Sequence, residues 1–496
     1  MLILFLAVAV FGIALARNGS SYTYTSDSLI KYIQTVSLLR SSYQSEALFY
    51  PGLSLDPGYQ FYPFTKPNVL VIGDKHIGQY PLMLSFVMSG PAALLPAAAM
   101  PYLCLGVALA ALGLFWKLFR SSAVTLAFAA FGTPLITQGM ELSENPLLIL
   151  LGLVGLYFYV RAVEEGQLRD AALAGFLSAV GIWFRLEALL YSLSLLCAWI
   201  LVTIRNKPLK QYAAFGIAST LTVGAFLVFQ TLHYGHPLGP RFIANPTSID
   251  LDLLRLAQVF TLIFGWKFKL GQFGFSPLLL IPIVYFVLTR TRDQLVRLLV
   301  VFQAGFLLAA SFLAPNDGVV TWGSRYLYLA LYPALLLLDR FYRDAIQHQS
   351  RLRRVGFFAV FTYSILICIL TLAIQRKATQ ELKALQTELK QAKGDVIIMP
   401  GSLLTSYAGL LYFERPILSP SGIEAVPELA AILRTHGPMR ITLTEYTGWT
   451  AQEFATRLDN YLGRDLVATS VKAFGGFQHL ESHKLTRLTL HEYQVK

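Results

Sequence analysis

The chain has 496 residues, 55% of them hydrophobic and only 14% charged, with a formal net charge of +12. Soluble domains carry about 25% charged residues. A deficit of that size, with apolar runs near twenty residues, excludes an ordinary soluble protein and predicts a polytopic helical membrane protein, because backbone polar groups in lipid must be paired within helices. The positive excess sits largely in short loops between apolar runs, where it sets orientation, so it is not read as a nucleic-acid signal.

The chain opens on an apolar run, 1–16, without a basic leader, which predicts an uncleaved first span rather than a signal peptide. A polar segment, 17–77, follows and contains the sequon Asn18-Gly19-Ser20 and an isolated acid, Asp27. Asp27 precedes a stretch with helical spacing, so it suits a helix N-cap, and it equally suits a functional acid at a membrane surface. Residues 78–95, bounded by Pro81 and Pro91, read either as a surface-lying helix or as another span.

Further spans are predicted at 97–116, 121–140, 145–160, 171–184, 187–204, 212–232, 277–289, 298–314, 326–338 and 355–374, about eleven in all with the first. Alternate loops differ in charge. One set carries Lys117 and Arg120, Arg161 and Arg169, Arg205, Lys207 and Lys210, Arg290, Arg292 and Arg297, and the run from Arg340 to Arg354. The other set is poorer in Lys and Arg although longer, so the first set is predicted cytoplasmic and the second outside. Three outer regions are then long: 17–77, 233–276 and 375–496.

The outer turns hold the candidate site residues. Glu141 and Glu144 lie three apart, as on one helix face, and read as solvated turn residues or as acids lining a site. Arg185 stands between two spans beside Glu187, either pairing with it or meeting an anion. The loop 233–241 carries His233, His236 and Arg241. Two histidines three apart, without a third ligand, make a weak metal motif. Residues 249–257 are amphipathic, and Lys267 and Lys269 sit among aromatics as at a lipid surface. Arg325 follows Asp317 and Trp322 where an outer loop enters a span, and a planar guanidinium there suits a phosphate. Cys104, Cys197 and Cys368 all fall in apolar runs and read as buried small hydrophobes.

The tail changes character. Residues 375–390 have helical periodicity, and the runs starting at Asp395, Met439 and Leu485 alternate like strands, which predicts a soluble α/β domain at 375–496 after a transmembrane domain at 1–374. Ionisable groups gather on one face with an apolar body beneath. That arrangement suits a substrate with a lipid tail and a phosphorylated head, an acid serving as general base and cations stabilising a departing phosphate.

Seven pieces occur in a recognisable order: Ser26-Asp27-Ser28; Gln79-Tyr80-Pro81-Leu82; Glu141-Leu142-Ser143-Glu144-Asn145-Pro146; Gly181-Ile182-Trp183-Phe184-Arg185-Leu186-Glu187; Tyr234-Gly235-His236-Pro237-Leu238; Phe275-Ser276-Pro277; and Trp322-Gly323-Ser324-Arg325-Tyr326-Leu327. Over residues 1–340 the chain resembles the GT-C superfamily of integral-membrane glycosyltransferases, which includes the protein O-mannosyltransferase and aminoarabinose transferase groups. The resemblance implies transfer of a sugar from a polyprenyl-phosphate donor to an extracytoplasmic glycan, lipid or protein acceptor. It implies Asp27 as catalytic base, Glu141 and Glu144 as the acidic turn, and Arg325 as a phosphate contact, with Arg241 and Arg185 as further candidates. The chain departs from the family at Ser28, where an acidic neighbour is usual, which puts a paired-acid metal site in doubt. It departs again at Leu82, where a second proline is usual. No cofactor is implied with certainty; a divalent metal is the open candidate. The expected setting is a bacterial inner membrane, with the site and tail outside the cytoplasm. The rival readings are a transporter or flippase of lipid-linked sugars, which predicts polar residues buried in mid-span, and a non-catalytic envelope-assembly protein.

Overall fold

The computed structural model describes residues 1–24, 26–204, 208–245, 253–266, 268–316, 318, 323–399, 405, 407–422, 424–446 and 464–496. Arg205, Lys207, Lys267, Asp317, Trp322 and the first residues of the 249–257 stretch lie outside them. In chain order the helices used below are α1 (Leu2–Asn18), α2 (Ser26–Arg40), α3 (Leu82–Leu94), α4 (Met100–Phe119), α5 (Ala123–Phe131), α6 (Asn145–Glu165), α7 (Leu168–Val180), α8 (Glu187–Thr203), α9 (Leu209–Tyr234), α10 (Gly239–Ala244), α11 (Leu253–Ile263), α12 (Gln272–Phe275), α13 (Leu280–Leu288), α14 (Gln294–Leu313), α15 (Leu331–Ala345), α16 (Arg351–Leu389), α17 (Ala425–Thr435) and α18 (Arg464–Ala473). Contacts divide the chain into two units: 1–17, 81–84 and 99–375, and 18–80, 85–98 and 376–496.

The first unit is helical. Among the described residues, five helical segments are long and apolar enough to cross a membrane: Ala97–Phe119, Asn145–Glu165, Leu209–Tyr234, Gln294–Leu313 and Arg351–Leu389. Five shorter apolar helices accompany them, among them Leu2–Asn18 and Glu187–Thr203. Much apolar surface stays uncovered. On α9 the side chains of Ile217, Leu221, Val228 and Leu232 are all more than half exposed. Apolar area on that scale belongs against lipid.

Within this unit α7 packs on α6 and α9, α8 on α14, and α4 on α6. Close approach depends on missing side chains. A Cβ at Gly175 of α7 would lie 2.3 Å from the Phe215 carbonyl oxygen of α9, so only glycine lets these backbones meet. Aromatic rings fill the space alongside. Trp199 packs edge-on to Tyr159 at 5.3 Å, and the buried hydroxyls of Tyr159 and Tyr191 donate to the carbonyls of Leu195 and Gly152.

Two of the predicted spans take a different form. The run 121–140 yields only the nine-residue α5, ending at Phe131. Pro134 offers no amide for continuation and disfavours helix at the residue before it. Thr133 Oγ1 instead donates back to Ala129 O at 2.7 Å, and Ser276 Oγ donates to Gly132 O at 2.7 Å. Residues 132–140 are all buried, the condition under which irregular backbone survives among membrane helices. The run 326–338 divides into a 3-10 turn, Arg325–Ala330, and α15. The ambiguous 78–95 segment contains α3, whose thirteen residues cover about 20 Å at 1.5 Å per residue, short of a hydrocarbon core of roughly 30 Å.

The second unit is built on a sheet. Its strands are β5 (Val396–Ile398), β6 (Ile417–Leu418), β7 (Met439–Tyr446), β8 (Gln478–Lys484) and β9 (Leu488–Val495), following the short hairpins β1–β2 (Val69–Ile72, Lys75–Gly78) in this unit and β3–β4 (Gly265–Trp266, Lys269–Leu270) in the helical one. The order is β6-β5-β7-β9-β8, with β5 parallel to both its neighbours and the remaining pairs antiparallel. The segment 18–80 packs with this sheet and its connections, whereas the sequence reading grouped it with the membrane helices. The reason is aromatic burial. Phe64 lies 5.2 Å from the Tyr412 ring and Phe49 stacks on Phe413 at 6.2 Å. The Tyr412 hydroxyl donates to Phe49 O, and Ser419 N donates to Phe61 O at 2.9 Å.

Candidate functional site

The N-terminus of α6, the α7–α8 turn, α10 and the start of the 325–330 turn supply the charged residues of the helical unit's candidate site. Each is set by local chain chemistry. Glu144 occupies the cap position of α6 ahead of Pro146, but its side chain makes no capping bond, which leaves the carboxylate for tertiary contacts. Arg185 ends a tight turn, its amide donating to Gly181 O at 2.9 Å. Gly181 has no room for a side chain, since a Cβ would sit 2.9 Å from that of Ala188. Gly239, at φ +70°, a backbone conformation that L side chains rarely adopt, opens α10, and Arg241 follows two residues on.

Arg185 is the hub. It is 2% exposed, and it grips Glu187 at two points, Nη2 to Oε1 at 2.6 Å and Nε to Oε2 at 3.3 Å. Its Nη1 donates to Glu144 Oε1 and to Asn145 Oδ1, each at 3.2 Å. Arg241 Nη1 reaches the same Glu144 oxygen at 3.4 Å. Burial works against the Arg185 charge, but Glu187 and then Glu144 outweigh it and raise the pKa, with Arg325 opposing them. Two guanidinium groups approach the Tyr326 ring, that of Arg185 at 5.3 Å and that of Arg325 at 5.4 Å from its centre. Its hydroxyl donates to Asn316 Oδ1 at 2.9 Å. Such stacking suits guanidinium, which is planar and weakly hydrated.

Four of the residues singled out in the sequence are therefore linked: Glu144, Arg185 and Arg241 by direct bonds, and Arg325 through Tyr326. Glu141 is not on a helix with Glu144. Residues 141–144 are bends and coil, because α6 starts only at Asn145, so the shared-face argument from helical spacing does not apply. Glu141 is half-buried. Asn145 and Tyr326 stand in the quoted pieces without a role of their own, and Asn316 is in none of them. Asn145 and Tyr326 each adjoin a singled-out residue, which was the available signal; Asn316 had none.

His233 and His236 are not paired as metal ligands. His233 stacks on Phe229 at 5.2 Å and His236 on Phe242 at 5.1 Å, and His236 Nδ1 accepts from Leu238 N. Among the described residues no group of three or more His, Cys, Asp or Glu converges as a metal site requires.

Asp27 belongs to the second unit. It is the second residue of α2, inside the first turn rather than at the cap, where a carboxylate interacts favourably with the helix dipole. Ser26, at φ +42°, starts the helix and donates Oγ to Asp27 Oδ1 at 3.4 Å. Asp27 is half-buried, whereas its neighbour Ser28 is buried. Nearby, Lys31 is buried with its ammonium 4.8 Å above the Tyr80 ring, and Gln34 Nε2 donates to Tyr80 O.

No family model matches the chain, and no curated protein matches it.

Proposed function

We propose that the protein is an inverting membrane glycosyltransferase of GT-C type that moves a sugar from a polyprenyl-phosphate donor to an acceptor hydroxyl outside the cytoplasm. The observation that carries this reading is the gathering of Arg185, Arg241 and Arg325 around Glu144, Glu187 and Tyr326 at the helix ends of an apolar, lipid-facing unit. Guanidinium groups are the side chains best matched to a phosphate, and a polyprenyl tail needs an apolar body beside the charged site.

A carboxylate, the part that the resemblance gives to Asp27, takes the proton of the acceptor hydroxyl as its oxygen attacks the anomeric carbon. The new bond forms at that carbon as the bond to phosphate oxygen breaks, and the electron pair leaves on the polyprenyl phosphate. Arg325 and Arg241 stabilise that developing charge. Arg185, held by two carboxylates and an amide, acts as a positioning residue that fixes Glu144 and the Tyr326 ring. In this reading the chain crosses the membrane about eleven times, the tail forms an extracytoplasmic α/β domain, and the membrane is a bacterial inner membrane.

Deletion of the gene, followed by mass spectrometry of envelope glycans, glycolipids and glycoproteins, tests the proposal. Loss of one sugar, restored by the wild-type chain and not by the Asp27→Asn variant, supports it. An unchanged glycan profile contradicts it.

A further inference from the structure

Along the first half of α16 runs an open groove of about 950 Å³, lined by Arg351, Arg354, Val355, Phe358, Ala359, Thr362, Tyr363 and Leu366. These positions recur every three to four residues, so they form one stripe of a helical surface. The two arginines stand together at the start of the helix, and everything above them is apolar or bears only a hydroxyl. Among the described residues neither arginine side chain has a carboxylate partner, unlike neighbouring Arg343, which pairs with Asp339 at 2.8 Å. Tyr363 is tethered at the far end, its hydroxyl donating to Gly274 O at 3.2 Å.

We propose that this groove binds one anionic phospholipid, its phosphate between Arg351 and Arg354 and one acyl chain laid along the stripe to Leu366. Two observations identify the occupant. The first is charge: two unpaired guanidinium groups at the end of an apolar helix complement a phosphodiester, and basic pockets at helix ends are a recurrent seat for anionic headgroups. The second is length. Val355 to Leu366 covers about 17 Å at 1.5 Å per residue, close to the roughly 15 Å depth of one leaflet. A polyprenyl chain long enough to cross both leaflets does not match that run. The inference rests on α16 alone, independent of the glycosyltransferase reading.

The test uses the full chain, purified in mild detergent and examined by native mass spectrometry with added phosphatidylglycerol, phosphatidylcholine of the same chain lengths, or polyprenyl phosphate. The expected result is one retained phosphatidylglycerol, with phosphatidylcholine washing off. In the variant carrying both Arg351→Gln and Arg354→Gln, retention weakens about thirtyfold, the loss of two headgroup contacts. Ala359→Trp fills the stripe without changing charge and also releases the lipid. Both substitutions fall on exposed positions, so an unchanged melting temperature separates loss of lipid from loss of fold. Equal retention of phosphatidylglycerol by wild type and the double variant overturns the proposal. So does equal binding of phosphatidylcholine, or displacement of phosphatidylglycerol by polyprenyl phosphate.

Discussion

Arg185 and Glu187, two residues apart in the chain, form a two-point ion pair, with Nη2 to Oε1 at 2.6 Å and Nε to Oε2 at 3.3 Å. The pair is buried, and Glu144 closes it from the other side. Breaking one member of a buried pair leaves a charge without compensation, which costs about 3–5 kcal/mol. Arg185→Ala should lower stability by that amount, and Arg185→Lys by less, since an ammonium keeps the charge and loses the fork. Adding Glu187→Gln to Arg185→Ala should recover part of the loss. Thermal unfolding in detergent measures all three; a double variant no more stable than Arg185→Ala would show the two residues are not coupled.

Gly175 faces the Phe215 carbonyl oxygen, and a Cβ there would come within 2.3 Å. Gly175→Ala should therefore push α7 off α9 and destabilise by about 1–3 kcal/mol. Gly224, on α9 with nothing within 4 Å of its missing Cβ, is the contrast: Gly224→Ala should be neutral or stabilise by up to about 1 kcal/mol. Equal effects in the same unfolding assay would remove the close-packing argument.

In the second unit, Lys393 and then His483 hold the Glu481 carboxyl down to about 2, from an ordinary value of 4.5. A group whose folded pKa is depressed stabilises above its unfolded pKa and loses that contribution as pH falls through the folded one. Its share of stability is thus complete above about pH 4.5 and fades between there and pH 2. Glu481→Gln should melt lower than wild type at pH 6, and the two should converge as the pH approaches 2. Parallel melting curves across that range would show that this carboxylate does not contribute.

Arg325 and Arg241 are assigned to the leaving phosphate. Arg325→Ala should lower transfer by about 10²–10³-fold, the usual effect of removing one transition-state donor. Arg325→Lys should keep part of the rate. Arg241 shares a carboxylate with Arg185, so Arg241→Ala should also show a lowered melting temperature. Wild-type rates in both alanine variants would exclude the phosphate assignment.

The membrane helices were legible because lipid demands long apolar runs, and composition alone displays them. The truncation of α5 was less so. Hydropathy averages over 121–140 and does not register Pro134 or the backward bond of Thr133, which end the helix at Phe131. The strand β7 starts where the alternating run at Met439 starts, because period-two alternation is a local property. The packing of 18–80 with the tail was illegible, since Phe64 and Tyr412 meet across more than three hundred residues of chain and neither has a distinctive neighbourhood. At the candidate site, Arg185 beside Glu187 was readable from adjacency. The bond from Arg241 to Glu144 was not, because it spans 97 positions and follows a turn that opens on Gly239 at positive φ.

The central claim is sugar transfer with Asp27 as base, and the most direct test is transfer by the purified full chain. The protein is reconstituted in lipid with donor lipid extracted from the source membrane and with acceptor material from the deletion strain. Wild type should transfer sugar at a rate that Asp27→Asn lowers by about 10²–10⁴-fold, while the variant binds donor lipid and melts as wild type does. Full transfer by Asp27→Asn would contradict the account.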